Sequence, residues 1–167
     1  MADESRNKRQ AEHPDVDVAN LGIVRPPLVF LTSILLGIIL HAAWPLQITR
    51  TKVGTQMGAA VVIIAVILFV SAVRTFRRAG TPVPGNQPTT TIVRDGPYRF
   101  TRNPIYLAFS LFQLGLAFLV NSIWLLLTLA IAFVLMSLIV IPREERYLER
   151  RFPAEYRSYT KSVRRWL

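Results

Sequence analysis

Long apolar runs separated by polar, basic linkers constrain this chain more than any other feature. Apolar residues collect at 28–44, 57–73 and 104–142, and the stretches between them are rich in Lys, Arg, Pro and Gly. A helix that crosses the roughly 30 Å of a bilayer's hydrocarbon needs about 20 mostly apolar residues. A helix of a soluble protein keeps a polar face toward water, and residues 59–70 offer none. The first two runs each make one span. The third is too long for one span, and its only strongly polar pair is Asn121-Ser122. The pattern predicts an all-α integral membrane protein of about four transmembrane helices, at about 27–44, 57–73, 104–120 and 122–141, the last two a tight hairpin that Pro142 ends.

Net charge is +10, which in a soluble protein would raise the question of nucleic acid. The placement of the charges answers it. Four basic residues precede the first run, two lie between the first and second, six between the second and third, none near Asn121, and eight follow residue 142. Basic residues accumulate in cytoplasmic loops. Both termini and the 74–103 linker are therefore expected inside, with 45–56 and the Asn121 turn outside. The excess charge is then read as anchoring against anionic membrane lipid, with no nucleic-acid partner. Residues 1–24 carry mixed charges and no apolar run, and are expected to form a flexible cytoplasmic tail ahead of one membrane domain, 25–167.

Local signals refine the picture. Pro26-Pro27 opens the first helix where missing amide donors cost nothing, and Trp44 and Pro45 mark its end. Gly54 and Gly58 form one G-x-x-x-G pair, weak evidence for close helix packing. Residues 79–88 are too broken by Gly and Pro to continue a helix and 89–94 read as a short extended piece, and the whole linker of about 30 residues is a candidate functional loop. Gln113 is expected to bond between helices. Residues 143–165 hold eight basic and four acidic residues threaded with Tyr147, Leu148, Phe152, Tyr156, Tyr159 and Val163, the mark of a cytoplasmic amphipathic helical segment.

Several chemistries are excluded. The chain has no cysteine, no H-E-x-x-H and no Walker or G-x-G-x-x-G sequence, so no metal site is expected. No Asp, Glu, Lys or Arg lies inside an expected span, which argues against an ion pathway. What remains are two polar clusters at the inner face. One is Asp95-Gly96-Pro97-Tyr98-Arg99-Phe100-Thr101-Arg102-Asn103-Pro104 with Tyr106; the other is Arg143-Glu144-Glu145-Arg146. The hairpin would bring the two together.

G-P-Y-R, N-P-x-Y, a hydrophobic hairpin, Pro-x-Glu-Glu-x-x-Leu, Phe-x-x-x-Tyr-x-x-Tyr and a terminal Arg-Trp, in this order, resemble the isoprenylcysteine carboxyl methyltransferase family and, more loosely, the related phospholipid methyltransferases. The similarity covers roughly residues 70–167. The resemblance implies an S-adenosylmethionine-dependent methyltransferase whose cofactor is enclosed by segments 94–106 and 143–167, with a lipophilic or lipid-anchored acceptor arriving from the bilayer. Carried over by residue, Tyr98, Arg99, Arg102, Asn103, Pro104 and Tyr106 match the cofactor loop and helix entry, Glu144 and Glu145 the glutamate pair, and Tyr156, Tyr159, Arg165 and Trp166 the closing segment. His is common in the family where this chain has Asn103, and Asn keeps a hydrogen-bonding group without titrating near neutral pH.

These residue types suit that cofactor. Either glutamate can take its ammonium or ribose hydroxyls, and Arg99 or Arg102 can grip its carboxylate in bidentate fashion. Tyr98 or Tyr106 can flank the adenine or the sulfonium. Glu145 is the carboxylate expected to matter most, and Arg165 is the residue expected to orient an acceptor carboxylate, these two standing as the catalytic candidates. A carboxylate acceptor needs no general base and an amine does, so carboxyl methylation is favoured over the alternative, phospholipid or lipid-amine methylation. A non-enzymatic membrane protein is the remaining alternative.

Overall fold

The computed structural model describes residues 25–49, 52–81 and 89–167. The expected tail at 1–24 lies outside the described residues, as does 82–88 of the linker. Helix α1 runs over Pro26–Ala43, starting at the proline pair and closing where the Trp44 amide donates to the Leu40 carbonyl. Helix α2, Val53–Arg78, is longer than its apolar run because Arg74, Arg77 and Arg78 continue it as a charged last turn. A 3-10 turn at Gly96–Arg99 precedes α3, Pro104–Leu119. Asn121, at φ 56, reverses the chain, and its side chain also ties down the α1–α2 loop. Its Oδ1 accepts from the amides of Ile48 and Thr49 at 3.0 Å each, and its Nδ2 donates to the Thr49 carbonyl at 2.7 Å. Helix α4 follows as Ile123–Arg151 and α5 as Pro153–Ser162.

The expectation of four spans closed by a matched hairpin is overturned. Among the described residues three helices, Pro26–Ala43, Val53–Arg78 and Ile123–Arg151, are long and apolar enough to cross a membrane. Helix α3 has 16 residues, which at 1.5 Å each reaches about 24 Å, short of the roughly 30 Å hydrocarbon layer. Nor does Pro142 end a hairpin arm. Its ring would clash with the preceding turn of an ordinary helix, but here Met136–Val140 is a π turn in which the Ile141 amide donates to the Met136 carbonyl. The wide turn carries the helix past the proline, so one continuous rod of 29 residues replaces the hairpin's second arm and the start of the separate amphipathic segment.

Packing pairs α2 with α3 and α1 with α4, and α3 and α4 join the pairs. Backbones touch at Gly58 and Gly115, where a Cβ on Gly58 would stand 2.7 Å from the Gly115 carbonyl oxygen. Gly37 brings α1 equally close to Leu125 on α4. Between them lies Gln113, fully buried, whose Nε2 donates to Ser33 Oγ, Thr128 Oγ1 and the Leu125 carbonyl. In lipid, small residues and hydrogen bonds hold helices together because apolar side chains gain nothing by leaving the tails. The outward faces agree with that: Ile39, Ile67 and Leu138 are 64%, 62% and 72% exposed.

Candidate functional site

A cavity of about 290 Å³ opens where the starts of α1 and α3 meet the ends of α2 and α4. One wall is apolar, with Phe69, Val73 and Phe76 from α2 and Phe109 from α3. The Phe69 and Phe109 rings lie 5.5 Å apart, and Phe76 meets Tyr98 edge-on at 5.0 Å. The opposite wall is polar, formed by Arg102, Asn103, Tyr106, Glu144, Glu145, Tyr156 and Tyr159. The Gly96–Arg99 turn turns Tyr98 inward and leaves Arg99 exposed.

The two glutamates stand in different surroundings. Glu145 is held from both sides by guanidinium groups, Arg102 Nη1 at 3.1 Å and Arg165 through Nε and Nη2. Glu144 is buried and accepts one hydrogen bond, from the Tyr106 hydroxyl at 2.8 Å. Among the described residues it has no ion-pair partner. On the same wall, Arg102 donates to the Tyr156 hydroxyl at 3.3 Å, and its Nε is buried with no partner among the described residues. A buried carboxylate lacking a cation and a guanidinium whose buried Nε–H lacks an acceptor thus belong to residues that line one cavity. Burial pushes the hydroxyls of Tyr98, Tyr156 and Tyr159 up, Tyr159's to about 12, so all three are neutral near pH 7.

The C-terminus closes this end of the bundle. The Arg102 amide donates to the Arg164 carbonyl at 3.0 Å, and Thr101 Oγ1 and Asn103 Nδ2 donate to the Arg165 carbonyl at 3.1 and 2.9 Å. Tyr159 donates to the Tyr98 carbonyl at 2.7 Å, and Trp166 stacks on Phe133 at 4.5 Å.

Residues 53–155 match the phospholipid methyltransferase family, from the first residue of α2 into α5 and over more than half of the chain. The chain belongs to the phospholipid methyltransferase family. It is 32% identical over 149 residues to the cobalt-zinc-cadmium resistance protein CzcN of Cupriavidus metallidurans, covering 84% of this chain and 61% of that protein. It is 38% identical over 73 residues to the nickel-cobalt-cadmium resistance protein NccN of Alcaligenes xylosoxydans xylosoxydans, 44% of this chain and 34% of that one. The chain thus spans less than two thirds of the length of either relative. No solved structure matches. The narrower likeness to isoprenylcysteine carboxyl methyltransferases finds no support in these comparisons, which return the broader phospholipid methyltransferase family.

In this member of the phospholipid methyltransferase family, Tyr98, Arg102, Asn103, Pro104, Tyr106, Glu144, Glu145, Tyr156 and Tyr159 share the cavity wall. Arg99, Arg165 and Trp166 do not: Arg99 faces outward, Arg165 is drawn onto Glu145, and Trp166 packs on α4. Sequence reasoning passed over the apolar wall, whose phenylalanines read as ordinary span residues. It gave no individual role to Thr101, buried and bonded to the C-terminus, or to Thr89, whose carbonyl accepts from Arg151 Nε at 2.9 Å. The run Thr89-Thr90-Thr91 between two basic segments was the available signal.

Proposed function

We propose that this chain transfers a methyl group from S-adenosylmethionine to a lipophilic acceptor at the cytoplasmic face of a bacterial membrane. One observation carries the reading: Glu144, a buried carboxylate with no cation beside it, and the Arg102 guanidinium line one cavity, complementary to the ammonium and carboxylate of an amino acid. Each of those charges needs a partner once out of water. When bound, the cofactor supplies a methyl group on a cationic sulfur that is displaced in line with the sulfur–methyl bond.

The residues hold and align. Glu144 takes the ammonium, with Tyr106 fixing its carboxylate. Arg102 takes the carboxylate, steadied by Glu145 and Tyr156. Glu145 is then a positioning residue, locking Arg102 to Arg165 and so to the C-terminus. Tyr98 offers an aromatic face to the adenine or sulfonium. The phenylalanine wall excludes water and seats an acceptor's apolar tail, which makes alignment the main contribution to rate.

A carboxylate acceptor, as on an isoprenylcysteine-like or other lipid acid, is a nucleophile already, and the reading favours it. A second reading, methylation of a phospholipid amine, draws on the family match. The metal-resistance roles in the relatives' names are read as a physiological context for that methylation. Among the described residues no group of three His, Cys, Asp or Glu stands together to hold the metals themselves.

The test is methyl-labelled S-adenosylmethionine given to the full chain in bilayer discs with a prenylcysteine analogue, an isoprenoid acid or phosphatidylethanolamine. Base-labile label on an acid is expected. Label on the phosphatidylethanolamine amine selects the second reading. No transfer to any acceptor, together with no cofactor binding, overturns the proposal.

A further inference from the structure

On the far side of Thr91, Ile92 and Val93 from the candidate methyl site lies a second, open groove of about 1140 Å³, between these residues and the outer face of α2. Its helical wall follows one stripe. Val66, Ile67 and Val70 stand below Arg74 and Arg78 at spacings of three and four residues, the rows that share a helix face. Ile67 is 62% exposed and Val70 37%, so the lower stripe presents bare hydrocarbon. The upper stripe presents two guanidinium groups, both exposed and, among the described residues, without a recorded partner. Across the groove stands Arg94, exposed, tethered through Nη2 to the Glu155 carbonyl and lying over the Tyr159 ring at 5.8 Å. Asp95 lines the same rim, leaving three arginines against one aspartate.

We infer that this groove seats one anionic phospholipid of the surrounding bilayer. Its phosphate lies between Arg74, Arg78 and Arg94, an acyl chain follows Val70, Ile67 and Val66 down the helix, and Asp95 accepts from a headgroup hydroxyl. The charge balance selects an anionic lipid over a zwitterionic one, and the apolar stripe selects a lipid over a free anion. The groove shares Thr91, Ile92 and Val93 with the methyl site, so the lipid braces that site's outer wall. The binding itself does not depend on the methyl-transfer reading.

Arg77 supplies the control. It is exposed on the same last turn of α2 but does not line the groove. The full chain is reconstituted in discs mixing phosphatidylglycerol with phosphatidylcholine, and the lipid retained on delipidation is quantified by mass spectrometry. The wild-type chain should retain phosphatidylglycerol selectively. Arg74→Gln with Arg78→Gln should cut that selectivity about thirtyfold, the change expected when about 1 kcal/mol is lost at each of two arginines. Arg77→Gln, which leaves the groove's own arginines in place, should leave most of that selectivity intact. Inorganic phosphate at millimolar concentration should not displace the lipid. Equal losses in the Arg77 variant would reduce the patch to general surface attraction and overturn the site. So would unchanged selectivity in the double variant with a normal melting curve, or displacement by phosphate alone.

Discussion

The Tyr106 hydroxyl donates to the Glu144 carboxylate across 2.8 Å, joining the first turn of α3 to α4 just beyond its π turn. Both residues are buried, so this is the hydrogen bond on which a carboxylate without a cation depends. Tyr106→Phe should lower stability by about 1.5–3 kcal/mol, the usual cost of losing a hydrogen bond to a charged group. Adding Glu144→Gln should recover much of that loss, because a neutral amide is cheaper to bury than an unsatisfied carboxylate. Thermal unfolding of the two variants in detergent checks both statements, and an unchanged midpoint for Tyr106→Phe would show the bond to be dispensable.

The glutamates should separate by phenotype. Glu144→Gln keeps an acceptor for Tyr106 and removes a buried charge, so the unliganded chain should melt at or above the wild-type temperature. Cofactor affinity should nonetheless fall about 30-fold or more, since a buried charge partner is lost. Glu145→Gln strands Arg102 and Arg165 together, and should lower unliganded stability and affinity alike. Melting curves with calorimetry on both variants decide it. Identical behaviour would erase the distinction between a binding and a positioning carboxylate.

Gln113 anchors three helices through one side-chain amide. Replacing it with Leu should cost about 0.6–2 kcal/mol, the range for interhelical hydrogen bonds in membranes, and more if the larger apolar tip is poorly accommodated. Reversible unfolding in mixed micelles measures it. A stabilised variant would show that packing alone holds the bundle.

Orientation is testable in a chain that has no cysteine. Cysteines placed at Gln47, exposed in the α1–α2 loop, and at Ser162, at the end of α5, should differ in intact cells, because Asn121 at the end of the short α3 is bonded to the α1–α2 loop and α4 then carries the chain back across. An impermeant thiol reagent should label Gln47→Cys and spare Ser162→Cys. The reverse pattern would put the candidate site outside the cell, away from cytoplasmic cofactor.

Much of this architecture is written in local patterns. The apolar runs announced membrane helices because lipid admits few other backbones, and the proline pair at 26–27 and Pro104 set helix starts through the loss of amide donors. Pro142 misled for a physical reason: a proline stops a helix unless the turn before it widens, and no residue type in Met136–Val140 signals a π turn. The length of α3 was equally hidden, because Val120 is as apolar as the residues it follows. At the site, the sequence offered two adjacent glutamates without ranking them. Their difference comes from Arg102, Arg165 and Tyr106, brought in from 20 to 43 positions away by tertiary packing. Asn121 read as a polar interruption and serves as a clamp on a distant loop.

The central claim is that Glu144 and Arg102 together hold the amino-acid end of the cofactor. Its most direct test compares S-adenosylhomocysteine, which carries that end, with 5′-methylthioadenosine, which lacks it, by calorimetry on the wild-type chain and on Glu144→Gln. The wild-type chain should prefer S-adenosylhomocysteine by about 100-fold or more, as expected for two charge-assisted contacts, and Glu144→Gln should shrink the preference by about tenfold while leaving methylthioadenosine binding nearly unchanged. Equal affinity of the wild-type chain for the two compounds, or an equal loss of both in Glu144→Gln, would contradict the account.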